Sequence, residues 1–233
     1  METEKNILSA IAYFDMFQYP VLLREIHMFI NIPLSVIELE TVINRLVTRK
    51  KIFRLDEFYS LRNDYALVEQ RRKGNERAGH LLPIAFRIGK FINKFPFVKG
   101  VGISGSLSKD FANEEADIDF FIITESNRLW IARSLLHALK KLSFLFGKQH
   151  WLCMNYFIDE DALELAEKNI FIATEVVTLK PVIGNAVIRN FFRVNNWTHA
   201  HFPNYKQDTS FIDLPKSRGK QIPVGGGLTM FRR

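Results

Sequence analysis

The stretch GVGISGSLSKDFANEEADIDFFIIT, from Gly100 to Thr124, limits the fold more than any other part of this chain. Apolar runs lie on either side of a short polar segment, and each run reads as a strand. Only SLSKDFANEEAD separates Gly105 from the second run. A parallel crossover needs a dozen or more residues and a helix with an apolar face, and this segment is barely that long and too polar to supply one. Gly100, Gly102 and Gly105 match G-x-G-x-x-G, the spacing of a dinucleotide-binding turn. That turn requires a strand before its first glycine and an acid at the far end of the next strand. Here a strand over 97–104 absorbs the first two glycines, and Asp117 and Asp119 open the second strand instead of closing it. The dinucleotide reading fails on both counts.

A different chemistry fits the same residues. Side chains two apart on a strand share a face, so Asp117 and Asp119 present two carboxylates side by side while Ile118 packs behind them. Such a pair is a hard oxygen site suited to Mg²⁺, an ion that commonly sits between one or two carboxylates and nucleotide phosphates. Gly105 lets the backbone approach a phosphate closely, Ser106 can donate its amide and hydroxyl, and Lys109 adds positive charge.

An apolar strand, Gly-Ser, a short helical turn and an acid-apolar-acid triplet, in that order, resemble the DNA polymerase beta superfamily of nucleotidyltransferases over about 97–158. The resemblance implies transfer of a nucleoside monophosphate from a nucleoside triphosphate to an acceptor hydroxyl or similar nucleophile, with pyrophosphate leaving. It makes Asp117 and Asp119 the catalytic and metal-binding pair for Mg²⁺, with room for a two-metal site, and Gly105, Ser106 and Lys109 the nucleotide-binding residues. Small molecule, protein side chain and nucleic-acid end all stay open as the acceptor.

Active members of that superfamily place a third carboxylate on a later strand. In this chain the strand expected over 151–158 carries Asn155 there, an amide that cannot act as a general base. Asp159 has the same phase but would lie about 13 Å further along the strand. Two readings follow for Asn155, an altered site position or a buried structural amide. Two follow for the chain as well: an active transferase, or a degenerate nucleotidyltransferase fold that binds a nucleotide or a partner protein in a regulatory role.

The expected class is α/β in the α+β sense: a small mixed sheet with helices, preceded by a winged-helix module and followed by further helices. Residues 1–62 read as that module. Ile7, Ile11 and Phe14 mark a first helix and VLLREIHMFI a second. A third is opened by Ser35 and Glu38 as a capping box, with Val42, Leu46 and Val47 on its buried face, and a hairpin turns at Asp56-Glu57. Its third helix opens on Glu38 and Glu40, carboxylates that would repel a phosphate backbone, so DNA contact stays open but is not favoured. Residues 63–96 read as a connecting helix interrupted at Gly74, with Arg71, Arg72, Lys73 and Arg77 as a solvated or phosphate-facing cluster. The core is assigned to 97–160 and a helical region to 161–205, where DALELAEKN, FIATEVVTL and the segment from Ala186 read as helices; the resemblance makes Glu175, Asn196 and Trp197 candidates for an acceptor pocket, with core packing and capping as the other reading. A loose tail is expected over 206–233.

The net charge of +7 favours phosphate-bearing partners without naming one. One cysteine, Cys153, excludes an intramolecular disulfide, and no apolar run approaches the roughly 20 residues that span a bilayer. A cytoplasmic protein with no membrane partner is the expectation.

Overall fold

The computed structural model describes residues 2–144 and 153–206. The start of the strand expected at Trp151 and almost all of the tail expected from 206 lie outside that range. Helices α1 (Glu2–Asp15), α2 (Leu23–Phe29) and α3 (Val36–Thr48) pack beside a small antiparallel sheet. Its strands β1 (Val21–Leu22), β2 (Phe53–Leu55) and β3 (Phe58–Ser60) are ordered β1-β3-β2. The capping box forms: the Ser35 hydroxyl accepts from the Glu38 N–H at 3.3 Å, and Glu38 Oε2 accepts from the Ser35 N–H at 2.9 Å. The buried face of α3 is Leu39, Ile43 and Leu46; Val42 and Val47 are only half-buried. Val21 and Leu22 leave the second helix to pair with β3.

Helix α4 (Ala66–Ile92) runs through Gly74 without a break. A Cβ at 74 would sit 2.2 Å from the Phe111 ring, so the glycine makes room for a neighbour and does not end the helix. The basic cluster on α4 is divided among partners. Arg71 is buried against Glu25 at 2.7 Å, Arg72 pairs with Asp56 at 2.9 Å and Glu57 at 2.8 Å, and Arg77 pairs with Glu114 at 2.6 Å.

The central sheet is mixed, in the order β6-β5-β4-β7. Strand β4 (Val98–Ile103) runs antiparallel to β5 (Asp119–Thr124), and β6 (Cys153–Asp159) runs parallel to β5. Between them lie α5 (Gly105–Ser108) and α6 (Leu129–Phe144). Phe120, Ile122 and Met154 face the core shared with α4 and α6. Phe121, Ile123 and Ile158 face α7 (Ile170–Thr178) and α8 (Asn185–Val194), which contribute Val176 and Phe191. A 3-10 turn over Asn196–Ala200 follows.

Two expectations for the last third change. DALELAEKN is not helical: Asn195 Nδ2 donates to Leu163 O at 2.8 Å and Asn195 Oδ1 accepts from Leu165 N at 2.9 Å, so the segment is held open by a side chain. Pro181 does more than end a helix. It lies in β7 (Lys180–Ile183), an edge strand antiparallel to β4, where a residue without an N–H is tolerated. Helix α7 is a wedge between cores: Val176 packs with the sheet, while Ala173 and Val177 pack with α1, α2 and the buried Phe202. Burial of a side chain such as Phe202 contributes about 1.5–3 kcal/mol. The N-terminal helices are therefore welded to the element beside the sheet. Among the described residues no helix is long and apolar enough to cross a membrane.

Candidate functional site

Strand β4 ends where the chain needs a sharp reversal, and Gly105 supplies it with φ +66°. The reversal is pinned by the Ser104 N–H, which donates to Asp119 O at 2.9 Å, and by the Ile103–Phe120 register. A Cβ at 105 would lie 2.3 Å from Asp119 Oδ2, so the carboxylate rests directly against the glycine. Only glycine satisfies both the dihedral and the close approach at this point. The turn and Asp119 thus share one site, with Ser106 exposed as the next residue of α5. Asp117 precedes β5 and is exposed, while Ile118 between the acids is fully buried. By contrast Gly102, a fingerprint residue, is inside β4, where a Cβ would meet Leu179 at 2.9 Å.

Burial holds the Asp119 carboxyl above the usual carboxylate range, and the charges of Asp117 and Glu175 add to the rise; a hydrogen bond from Cys153 and the charge of Lys109 oppose it. Cys153 is itself pushed up by burial and by Asp119, which keeps it a thiol. These are the electrostatics of a site with surplus negative charge. A divalent cation would relieve it, and two carboxylates completed by phosphate oxygens are an adequate donor set for Mg²⁺. Among the described residues no three His, Cys, Asp or Glu side chains form a group that could hold a metal by themselves.

Lys109 caps α5 and turns its ammonium back over the turn, donating to Gly105 O at 3.1 Å and to Glu175 Oε1 at 2.7 Å. The other Glu175 oxygen accepts from the Gly105 N–H at 3.2 Å. Ser108 Oγ lies 2.8 Å from Gly105 O and 3.3 Å from Thr178 Oγ1, tying α5 to α7. From the far side Tyr19 donates its hydroxyl to Lys109 O at 3.1 Å.

Cys153, not Asn155, is the register partner of Asp119. Asn155 falls where the β5–β6 register shifts, between the pairs Phe120–Met154 and Phe121–Tyr156, and its side chain is exposed, which excludes a buried amide. It lines a pocket of about 480 Å³ with Gly105, Phe121, Tyr156, Glu175 and Phe191. Tyr156 stacks on Phe121 at 5.5 Å between centroids and 4° between planes. Asp159 is at the other end of β6, accepting from the Asn127 N–H at 2.8 Å. Of the acceptor-pocket candidates, Glu175 lines this pocket. Asn196 lines a separate small cavity, and Trp197 donates to Asn195 Oδ1 at 3.1 Å. The sequence signal for Glu175 is its place as the sole charged residue of the apolar helix IFIATEVVT. Cys153 gave no signal, because nothing local announces a register.

A family model described as a nucleotidyltransferase domain matches residues 88–205, half of the chain. No curated protein and no solved structure matches.

Proposed function

The chain belongs to the nucleotidyltransferase domain family, and from that premise we propose that it transfers a nucleoside monophosphate from a nucleoside triphosphate to an acceptor hydroxyl. Members of the family typically use divalent metal ions. The observation that carries the reading is the contact of the Asp119 carboxylate with the Gly105 turn, which brings one of the two acids against the proposed phosphate-facing groups. Asp117 and Asp119 would hold the metal, and Gly105, Ser106 and Lys109 would receive the phosphates. When bound, Mg²⁺ supplies positive charge to the triphosphate and the leaving pyrophosphate. The residues themselves position: the fixed turn holds the phosphate chain, and the pocket beside it holds the acceptor. The floor of Phe121 and Phe191 with the exposed ring of Tyr156 suits an acceptor with a flat or apolar body.

The test is calorimetric binding of nucleoside triphosphates with and without Mg²⁺. Binding should require the metal, and Asp117→Asn or Asp119→Asn should each weaken it about tenfold or more, since a charge that the metal and phosphates need is removed. Metal-dependent binding that survives both substitutions sinks the assignment.

A second reading is favoured by β6, which sets a thiol opposite Asp119 and an amide beside it. On that reading the protein binds the nucleotide without transferring it and acts as a regulator. The N-terminal unit, with three helices and a sheet in winged-helix order, would then be a partner-binding module. DNA contact is less well supported there, because Arg45 on α3 and Arg49 just after it are turned toward Glu4 at 3.6 and 3.3 Å. Pyrophosphate release with any acceptor would remove this second reading.

A further inference from the structure

We infer that Glu175 is the general base of the transfer proposed above, supplied by α7 because β6 carries no carboxylate beside Asp119; the inference rests on that proposed function. In the present state the Glu175 carboxylate occupies the Gly105 N–H and the Lys109 ammonium, the two donors a triphosphate would claim. A triphosphate carries several negative charges against one, so its arrival displaces the carboxylate. The side chain is exposed and stands on the wall of the 480 Å³ pocket that also includes Asn155 and Tyr156, so rotation about its own bonds delivers it to the acceptor. Its charge already reaches Asp119. Once Lys109 and the Gly105 N–H have turned to the phosphates, the Glu175 oxygens they held are free to accept a proton.

The acceptor hydroxyl gives its proton to a Glu175 oxygen as its own oxygen bonds to the α-phosphorus. The bond from that phosphorus to the α,β-bridging oxygen breaks, and its electron pair leaves with pyrophosphate. Glu175 then returns the proton to solvent and, with the site empty, closes again on Lys109.

Glu175→Gln in the full chain tests this, with the four ribonucleoside triphosphates and Mg²⁺ as probes and with water and a panel of small alcohols as acceptors. Because the neutral amide competes poorly for Lys109, triphosphate binding should tighten about two- to fivefold, the reach of an exposed ion pair. Pyrophosphate release should fall about a hundredfold or more. Binding that is unchanged or weaker overturns the inference, and so does release within about threefold of wild type. Absence of Mg²⁺-dependent binding in both proteins would instead overturn the proposed function. A variant that is fully active while Asp119→Asn is dead removes the base alone.

Discussion

Two ion pairs in this protein have the same length and opposite purposes. Arg71–Glu25 and Lys109–Glu175 both close at 2.7 Å, but the first pair is 3% and 12% exposed and the second 18% and 46%. Around the first, every group has further partners. Arg71 Nε donates to Asn75 Oδ1 at 2.8 Å and its guanidinium lies 3.5 Å above the Tyr19 ring, while Glu25 accepts from the Leu22 N–H at 2.9 Å. Burial pushes the Glu25 carboxyl up to about 7 and the Arg71 guanidinium down to about 9, so each depends on that saturation to keep its charge. The second pair faces water and a pocket, and its donors are the ones that the proposed function gives to phosphate. One pair locks the N-terminal helices to α4; the other can open.

From that contrast Arg71→Met should be the most damaging change, costing about 3–5 kcal/mol because a buried carboxylate is left unpaired. Thermal or denaturant unfolding would measure it, and a loss under about 1 kcal/mol would place both pairs in one class. Lys109→Met should cost under about 1 kcal/mol of stability, as exposed pairs do. Its effect should appear instead as a loss of about tenfold or more in triphosphate affinity, the worth of a charge-assisted hydrogen bond. Reversal of those two outcomes would mean that Lys109 is structural.

The smallest effect concerns Asp119. Its folded pKa is raised above the ordinary 3.8, so the stability linked to its protonated form is full below 3.8 and is lost as pH rises through the folded value. Asp119→Asn avoids that loss. The metal-free variant should therefore melt higher than wild type at neutral pH, with the gap closing toward pH 4, even as it loses metal-dependent binding. A gap that does not change with pH would trace the gain to packing and not to the burial of a charged carboxylate beside Asp117 and Glu175.

What could be read from the residues was what the chain settles locally. Ser35 and Glu38 specify a helix start within four residues, and Gly105-Ser106 followed by Asp117-Ile118-Asp119 specifies a turn between two strands. What escaped depends on distant partners. The helical composition of DALELAEKN yields to Asn195, thirty residues on, and β7 exists only because β4 offers it an edge. Arg71 and Arg72 are adjacent in a basic run, yet one is buried and the other exposed, because helical phase turns them to different sides. The candidate site followed the same division: Gly105 and Asp119 are close in the chain and were legible together, whereas Glu175 was legible as a pocket candidate but not as a partner of Gly105 and Lys109, which it reaches only through the wedge of α7 between two cores.

The clasp of Tyr19 on the Lys109 carbonyl has a kinetic meaning. A glycine turn left to itself would sample many shapes, and a nucleotide arriving there would have to wait for the correct one. Here the far end of the turn is anchored by a residue ninety positions away, whose ring lies under Arg71. Little conformational entropy remains for the ligand to remove. The motion left for capture is the release of one ammonium by one carboxylate, a side-chain motion on the scale of nanoseconds, so encounter by diffusion would set the pace of nucleotide entry in the proposed function.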